Sequence, residues 1–110
     1  MQITTTTGPV TVLAVTGDID SETFSHLIEE ADQRMEAGQV RLVLDLSEVN
    51  YISSGGLVAL QTILGRAVAR GGNMVLCGIT PRVRKVLEIT GFDQRLSIFP
   101  DRAAAMASLG

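Results

Sequence analysis

Hydrophobic positions along this chain change rhythm from alternation to helical spacing and back, and the changes divide it into elements. Residues 2–6 and 10–16 are rich in Thr, Val and Ile and are separated by Gly8-Pro9, which predicts two strands joined by a turn. After Gly17-Asp18-Ile19-Asp20, the residues Phe24, Leu27, Ile28, Ala31 and Met35 recur at helical spacing. Asp20 or Ser21 is available as the N-cap of that first helix and Gly38 as its stop. Val40 to Leu46 predicts a strand with one better-buried side, Leu42, Leu44 and Leu46 on one face and Arg41 and Asp45 on the other.

A second helix is expected from Ser53 or Ser54 to Gly71-Gly72, with Leu57, Leu60, Leu64, Ala67 and Val68 on its buried stripe. Met74 to Cys77 reads as another apolar strand. Thr80-Pro81 then supplies a cap and a proline at the first helical position, and Val83, Val86 and Leu87 make a short stripe that ends before Gly91. Leu96 to Phe99 predicts a last strand, and Pro100-Asp101 opens an alanine-rich helix through Leu109 whose packing face is weak. The order ββαβαβαβα predicts an α/β domain with a mixed β-sheet: parallel strands joined by right-handed crossovers, and an antiparallel edge from the first hairpin.

At 110 residues the chain is near the commonest domain size, and a single domain over residues 1–110 is expected to bury its core without metal or disulfide staples. A lone cysteine, Cys77, forms no internal disulfide and fits a reducing, cytoplasmic setting. Apolar runs such as Val10 to Val15 fall far short of a membrane span, so no membrane insertion is expected. The start Gln2-Ile3-Thr4-Thr5 lacks the basic and apolar regions of a signal peptide. Net charge is -3 but unevenly divided: residues 1–50 hold nine acidic and two basic side chains, residues 51–110 three acidic and seven basic. Such polarity can steer a partner, while the absence of a basic run interleaved with aromatics argues against direct nucleic-acid binding.

Two loops converge on the carboxyl end of the predicted sheet, Gly17 to Asp20 and Ser47 to Gly56, the end at which open α/β sheets collect ligands. The second contains Tyr51-Ile52-Ser53-Ser54-Gly55-Gly56, two hydroxyls and two glycines at a helix start, where free N–H groups favour an anion. Taken alone, a serine there is ordinarily a helix cap. Leu57-Val58 stands where a phosphate-binding loop would need a lysine, which argues against ATP hydrolysis. The one histidine, His26, is predicted on the polar side of the first helix, away from any serine elbow. No catalytic triad, metal site or cofactor is therefore expected. Asp18 and Asp20 read most simply as capping and solvated carboxylates.

Four linked blocks carry a resemblance: Thr16-Gly17-Asp18-Ile19-Asp20; Leu42-Val43-Leu44-Asp45-Leu46-Ser47 with Val49; Tyr51 to Leu57; and Gly71 to Gly78 followed by Pro81, Val83, Val86-Leu87 and Gly91. In these blocks the chain resembles the anti-sigma factor antagonist family of bacteria, the stand-alone form of the STAS domain. The resemblance implies a non-enzymatic partner switch. The unmodified antagonist binds an anti-sigma factor that is also a serine kinase, and phosphorylation of a serine at the start of the second helix ends the contact. A metal-dependent serine phosphatase resets it.

By this resemblance the acceptor is Ser54, with Ser53 the lesser alternative, and Asp20 occupies the place of a family aspartate on the partner-facing surface. That surface is expected to comprise Asp18, Asp20, Ser53, Ser54, Gly55 and Gly56 with Val58, Gln61 and Thr62 on the outward side of the helix. The competing reading is a constitutive STAS subunit of a stressosome-like scaffold or a lipid-transporter complex, with the serine only a cap.

Overall fold

The computed structural model describes every residue from Met1 to Gly110. Its elements are β1 (Gln2–Thr6), β2 (Thr11–Thr16), α1 (Phe24–Glu36), β3 (Arg41–Glu48), α2 (Ser54–Ala69), β4 (Asn73–Cys77), α3 (Pro81–Thr90), β5 (Ile98–Phe99) and α4 (Arg102–Leu109). The strands form one sheet in the order β1-β2-β3-β4-β5, with β1 antiparallel to β2 and every later pair parallel. The mixed sheet and the element order are those the sequence predicts.

Each crossover from β2 onward steps to the next strand in the same direction, so right-handed connections put α1, α2 and α3 on one face of the sheet. Leu27, Ala31 and Met35 of α1, Leu57, Leu60, Ile63 and Ala67 of α2, and Val83 and Leu87 of α3 pack there against Leu13, Leu42, Leu44, Leu46 and Leu76. On the opposite face Val10, Val12, Val43, Val75 and Cys77 meet Ala105 of α4. Both faces of β3 are therefore covered, where the alternation of Arg41 and Asp45 predicted one better-buried side. Because α1 to α4 each follow a strand that points the same way, all four helix N-termini gather at the carboxyl end of the sheet.

Local chemistry sets the boundaries. Thr80 caps α3, its hydroxyl accepting the Val83 N–H at 3.4 Å, and Gly91 ends that helix at φ 78°, a left-handed conformation that glycine adopts without strain. Three expectations are corrected. Residues 21–23 form a turn, so α1 starts at Phe24 after Thr23 rather than directly after Asp20 or Ser21. The buried stripe of α2 runs through Leu57, Leu60, Ile63 and Ala67, beside buried Gly56 and Ala59; Leu64 is half-buried and Val68, off that side, is 55% exposed. The last strand is two residues long, since Phe92–Gln94 forms a 3-10 turn that carries Leu96 into the core ahead of it.

Candidate functional site

The two loops named from the sequence are joined by a rung of parallel β-bridge. The Ile19 N–H donates to the Tyr51 carbonyl at 3.0 Å, and the Ser53 N–H donates to the Ile19 carbonyl at 2.9 Å. Both bridging side chains, Ile19 and Ile52, are buried, which anchors the loops in the main core and fixes their separation. Asp20 shapes the first loop. Its carboxylate accepts the Glu22 N–H at 2.9 Å and the Thr23 N–H at 3.1 Å, closing the turn before α1. Those donors, the Glu22 N–H foremost, hold its carboxyl below the ordinary value against the opposing effect of desolvation.

The adjacent serines are chemically distinct. Ser53 is extended, at φ -87° and ψ 174°, and its hydroxyl oxygen accepts the Gly56 N–H at 3.1 Å, so Ser53 is the N-cap of α2. Ser54 is the first helical residue and its side chain is exposed. The glycines divide in the same way. A Cβ on Gly56 would lie 2.6 Å from the Ile19 carbonyl oxygen and 2.6 Å from a methylene carbon of Ile52, so only glycine lets α2 approach the bridged loops. A Cβ on Gly55 would meet nothing closer than the Ser53 hydroxyl at 3.6 Å.

Of the residues expected on the partner surface, Ser54, Val58 and Gln61 are exposed at i, i+4 and i+7, one outward stripe of α2. Thr62 beside them is half-buried, as are Ser53 and Gly55, and Asp18 is exposed. Gly56 is buried and allows the close approach of α2, and Asp20 is half-buried with its carboxylate engaged in the turn before α1. Tyr51, 52% exposed, and Val58, 55% exposed, are large hydrophobic side chains left open to solvent in the loop before α2 and on its outward stripe. Tyr51 belongs to the sequence motif but not to the expected partner surface; its mark in the sequence is that it is the single tyrosine of an aromatic-poor chain.

A concavity lies at the same end of the sheet but on the α4 side. It has a volume of about 410 Å³ and is lined by Asp45, Ser47, Cys77, Gly78 and the start of α4 from Pro100 to Ala103. Arg102 donates to Asp45 at 2.6 Å, and the Ser47 N–H donates to the other carboxylate oxygen at 3.0 Å. Burial alone would raise the Asp45 carboxyl, but these donors outweigh it and the group lies below its ordinary value. Burial first, then the charge of Asp45, pushes the Cys77 thiol up to about 11, the condition of an inert core thiol.

The sequence model of the STAS domain matches residues 1–105. The chain belongs to the STAS domain family. It is 37% identical over 100 residues to BtrV of Bordetella bronchiseptica, named as a candidate anti-sigma factor antagonist, a match covering 88% of this chain and 84% of that protein. It is 26% identical over 104 residues to the anti-sigma F factor antagonist of Paenibacillus polymyxa, covering 91% and 86% of the two chains. Among solved structures, an anti-sigma factor antagonist from Mycobacterium paratuberculosis superposes with a TM-score of 0.84 at 26% identity, over 98% of this chain and 94% of that one. The Bacillus cell fate determinant SpoIIAA in its phosphorylated form shares the fold at a TM-score of 0.71 and 16% identity, over 97% of each chain. No helix of this STAS domain is long and apolar enough to cross a membrane.

Proposed function

We propose that this STAS domain is an anti-sigma factor antagonist that works by partner switching: it binds an anti-sigma factor with serine kinase activity, and phosphorylation of Ser54 ends the contact. The observation that carries the reading is the division of labour between the two serines. The Ser53 hydroxyl is occupied as the helix cap, so Ser54, exposed at the first position of α2, is the hydroxyl a kinase can reach. The antagonist relatives support the functional class; in the proposed cycle a metal-dependent serine phosphatase resets the switch. The chain itself needs no catalytic group; its part is to bind and to be modified.

A phosphoserine adds about -1.5 to -2 charges. At the N-terminus of α2 the positive end of the helix dipole accommodates that charge, so the domain need not rearrange. The effect falls on the partner. One turn along the helix from exposed Val58, an unmodified hydroxyl is easily desolvated on docking; a dianion there would have to be stripped of water, and a loss of about 3 kcal/mol weakens binding roughly a hundredfold.

The test is binding of wild type, Ser54→Ala and Ser54→Asp to a purified anti-sigma factor with serine kinase activity from the same organism, followed by incubation with ATP and mass mapping. Binding by wild type and Ser54→Ala, loss in Ser54→Asp and a single phosphate on Ser54 are the expected results. Equal binding by all three with no phosphate on either serine would instead make the domain a constitutive interaction subunit.

A further inference from the structure

The docking face does not end at α2. We infer that the start of α3 is its basic half: Arg82 and Arg84, with Lys85, receive an acidic patch on the protein partner. This inference rests on the partner-binding reading above and extends its surface. All three side chains are exposed, and the ion pairs of the structure, Glu30 with Arg34, Asp32 with Arg66 and Asp45 with Arg102, leave them out. The first turn of α3 carries no acid, and Glu88, the helix's single carboxylate, lies toward its far end. A cation in the first turn of a helix opposes the dipole, at a cost of about 0.3–1 kcal/mol when exposed, and Arg82 stands there. The placement of Arg82 therefore works against the stability of α3, and none of the three cations is taken up by an ion pair within the fold.

Position supplies the reason. The N-terminus of α3 lies at the same end of the sheet as that of α2, and the two approaches are tied together: the Thr80 hydroxyl, at the cap of α3, donates to the Val49 carbonyl in the loop before α2 at 3.0 Å. Across this end the charge runs from Asp18, Asp20 and Glu22 before α1, past Ser54, to Arg82, Arg84 and Lys85. A nucleic acid or an anionic membrane, negative over its whole extent, would be repelled by the acidic half. A protein with a localised acidic patch satisfies the basic half without that conflict, and the charge order then fixes which way round it docks.

The experiment compares two double reversals of equal charge change: Arg82→Glu with Arg84→Glu on the face, and Arg41→Glu with Arg70→Glu, both exposed, at the opposite end of the sheet. Association with the same anti-sigma factor is followed at about 50 and 500 mM salt. The face variant is expected to associate about tenfold more slowly at low salt, with the difference closing at high salt, while the control stays within about twofold of wild type. Thermal unfolding should show the face variant no less stable than wild type, since α3 gains acids in its first turn. Equal effects of the two reversals, or none, would overturn the inference while leaving partner binding intact. Failure of wild type itself to bind would overturn the partner-binding reading and this inference with it. Binding of wild type to phosphatidylglycerol vesicles or a DNA duplex, lost in the face variant, would reassign the surface to a polyanion.

Discussion

On one face of the sheet three helices enclose a core of 20 buried residues, whereas on the other a single eight-residue helix closes over a cluster of six. The first face is held by apolar area and by the close approach of α2 at Gly56. The second depends on one alanine, a few flanking side chains and the Arg102–Asp45 ion pair. The proposed switch sits on the first. Ser54 is mounted on a capped helix whose adjoining loops are bridged to each other, so a modification there acts on a surface of fixed shape. What the α4 face shows by contrast is how little area can hold a helix when a charged pair is added, and how dependent that attachment becomes on pH.

The largest effect expected from disturbing this contrast is at Gly56. Gly56→Ala drives a methyl into the Ile19 carbonyl and should cost about 3 kcal/mol in denaturant unfolding, because the obstruction is backbone and cannot step aside. It should also weaken partner binding by separating the bridged loops. A loss under about 0.5 kcal/mol would mean that the close approach is not what fixes the site.

A smaller effect is expected on the other face. Arg102→Met leaves the buried Asp45 without its charged partner; because Arg102 is itself 47% exposed, the loss should be about 1–2 kcal/mol at pH 7. Asp45 has its carboxyl lowered in the fold, so its stabilisation is present above the unfolded value of about 3.9 and is lost as pH falls through the folded one. The gap between wild type and variant should accordingly narrow below about pH 4 in acid unfolding curves. Alkylation of Cys77 should quicken in the variant as α4 opens, and an unchanged rate would show that the helix is held without the pair.

The smallest effect is a gain. Gly55→Ala has room for its methyl and should stabilise the domain by about 0.5–1 kcal/mol by restricting the unfolded chain and favouring helix. Opposite outcomes at two neighbouring glycines would separate the one the fold requires from the one it tolerates.

Much of this was legible in the sequence. Thr80-Pro81 and Gly91 mark α3 because a cap, a proline and a left-handed glycine each act locally, and Gly8-Pro9 separates the first two strands for the same reason. The face of α2 was harder to read: Leu57, Val58, Ala59, Leu60, Ile63, Leu64, Ala67 and Val68 leave it apolar almost all round, and only contact with the sheet decides that Val68 faces out. Whether Ser53 or Ser54 is the cap turns on one dihedral angle and one hydrogen bond, which composition does not carry. The attachment of α4 was illegible for a different reason. Asp45 and Arg102 are 57 residues apart, and nothing local in either element announces the other.

Because β1 to β5 lie side by side in the order in which they are made, no strand has to enter between two that have already paired. Each strand emerging from the ribosome finds the edge of its immediate predecessor still open, and each intervening helix can settle before the next arrives. The sheet can thus be assembled by simple extension during synthesis. The one exception is the far face, which stays open to water until the final eight-residue helix has been translated.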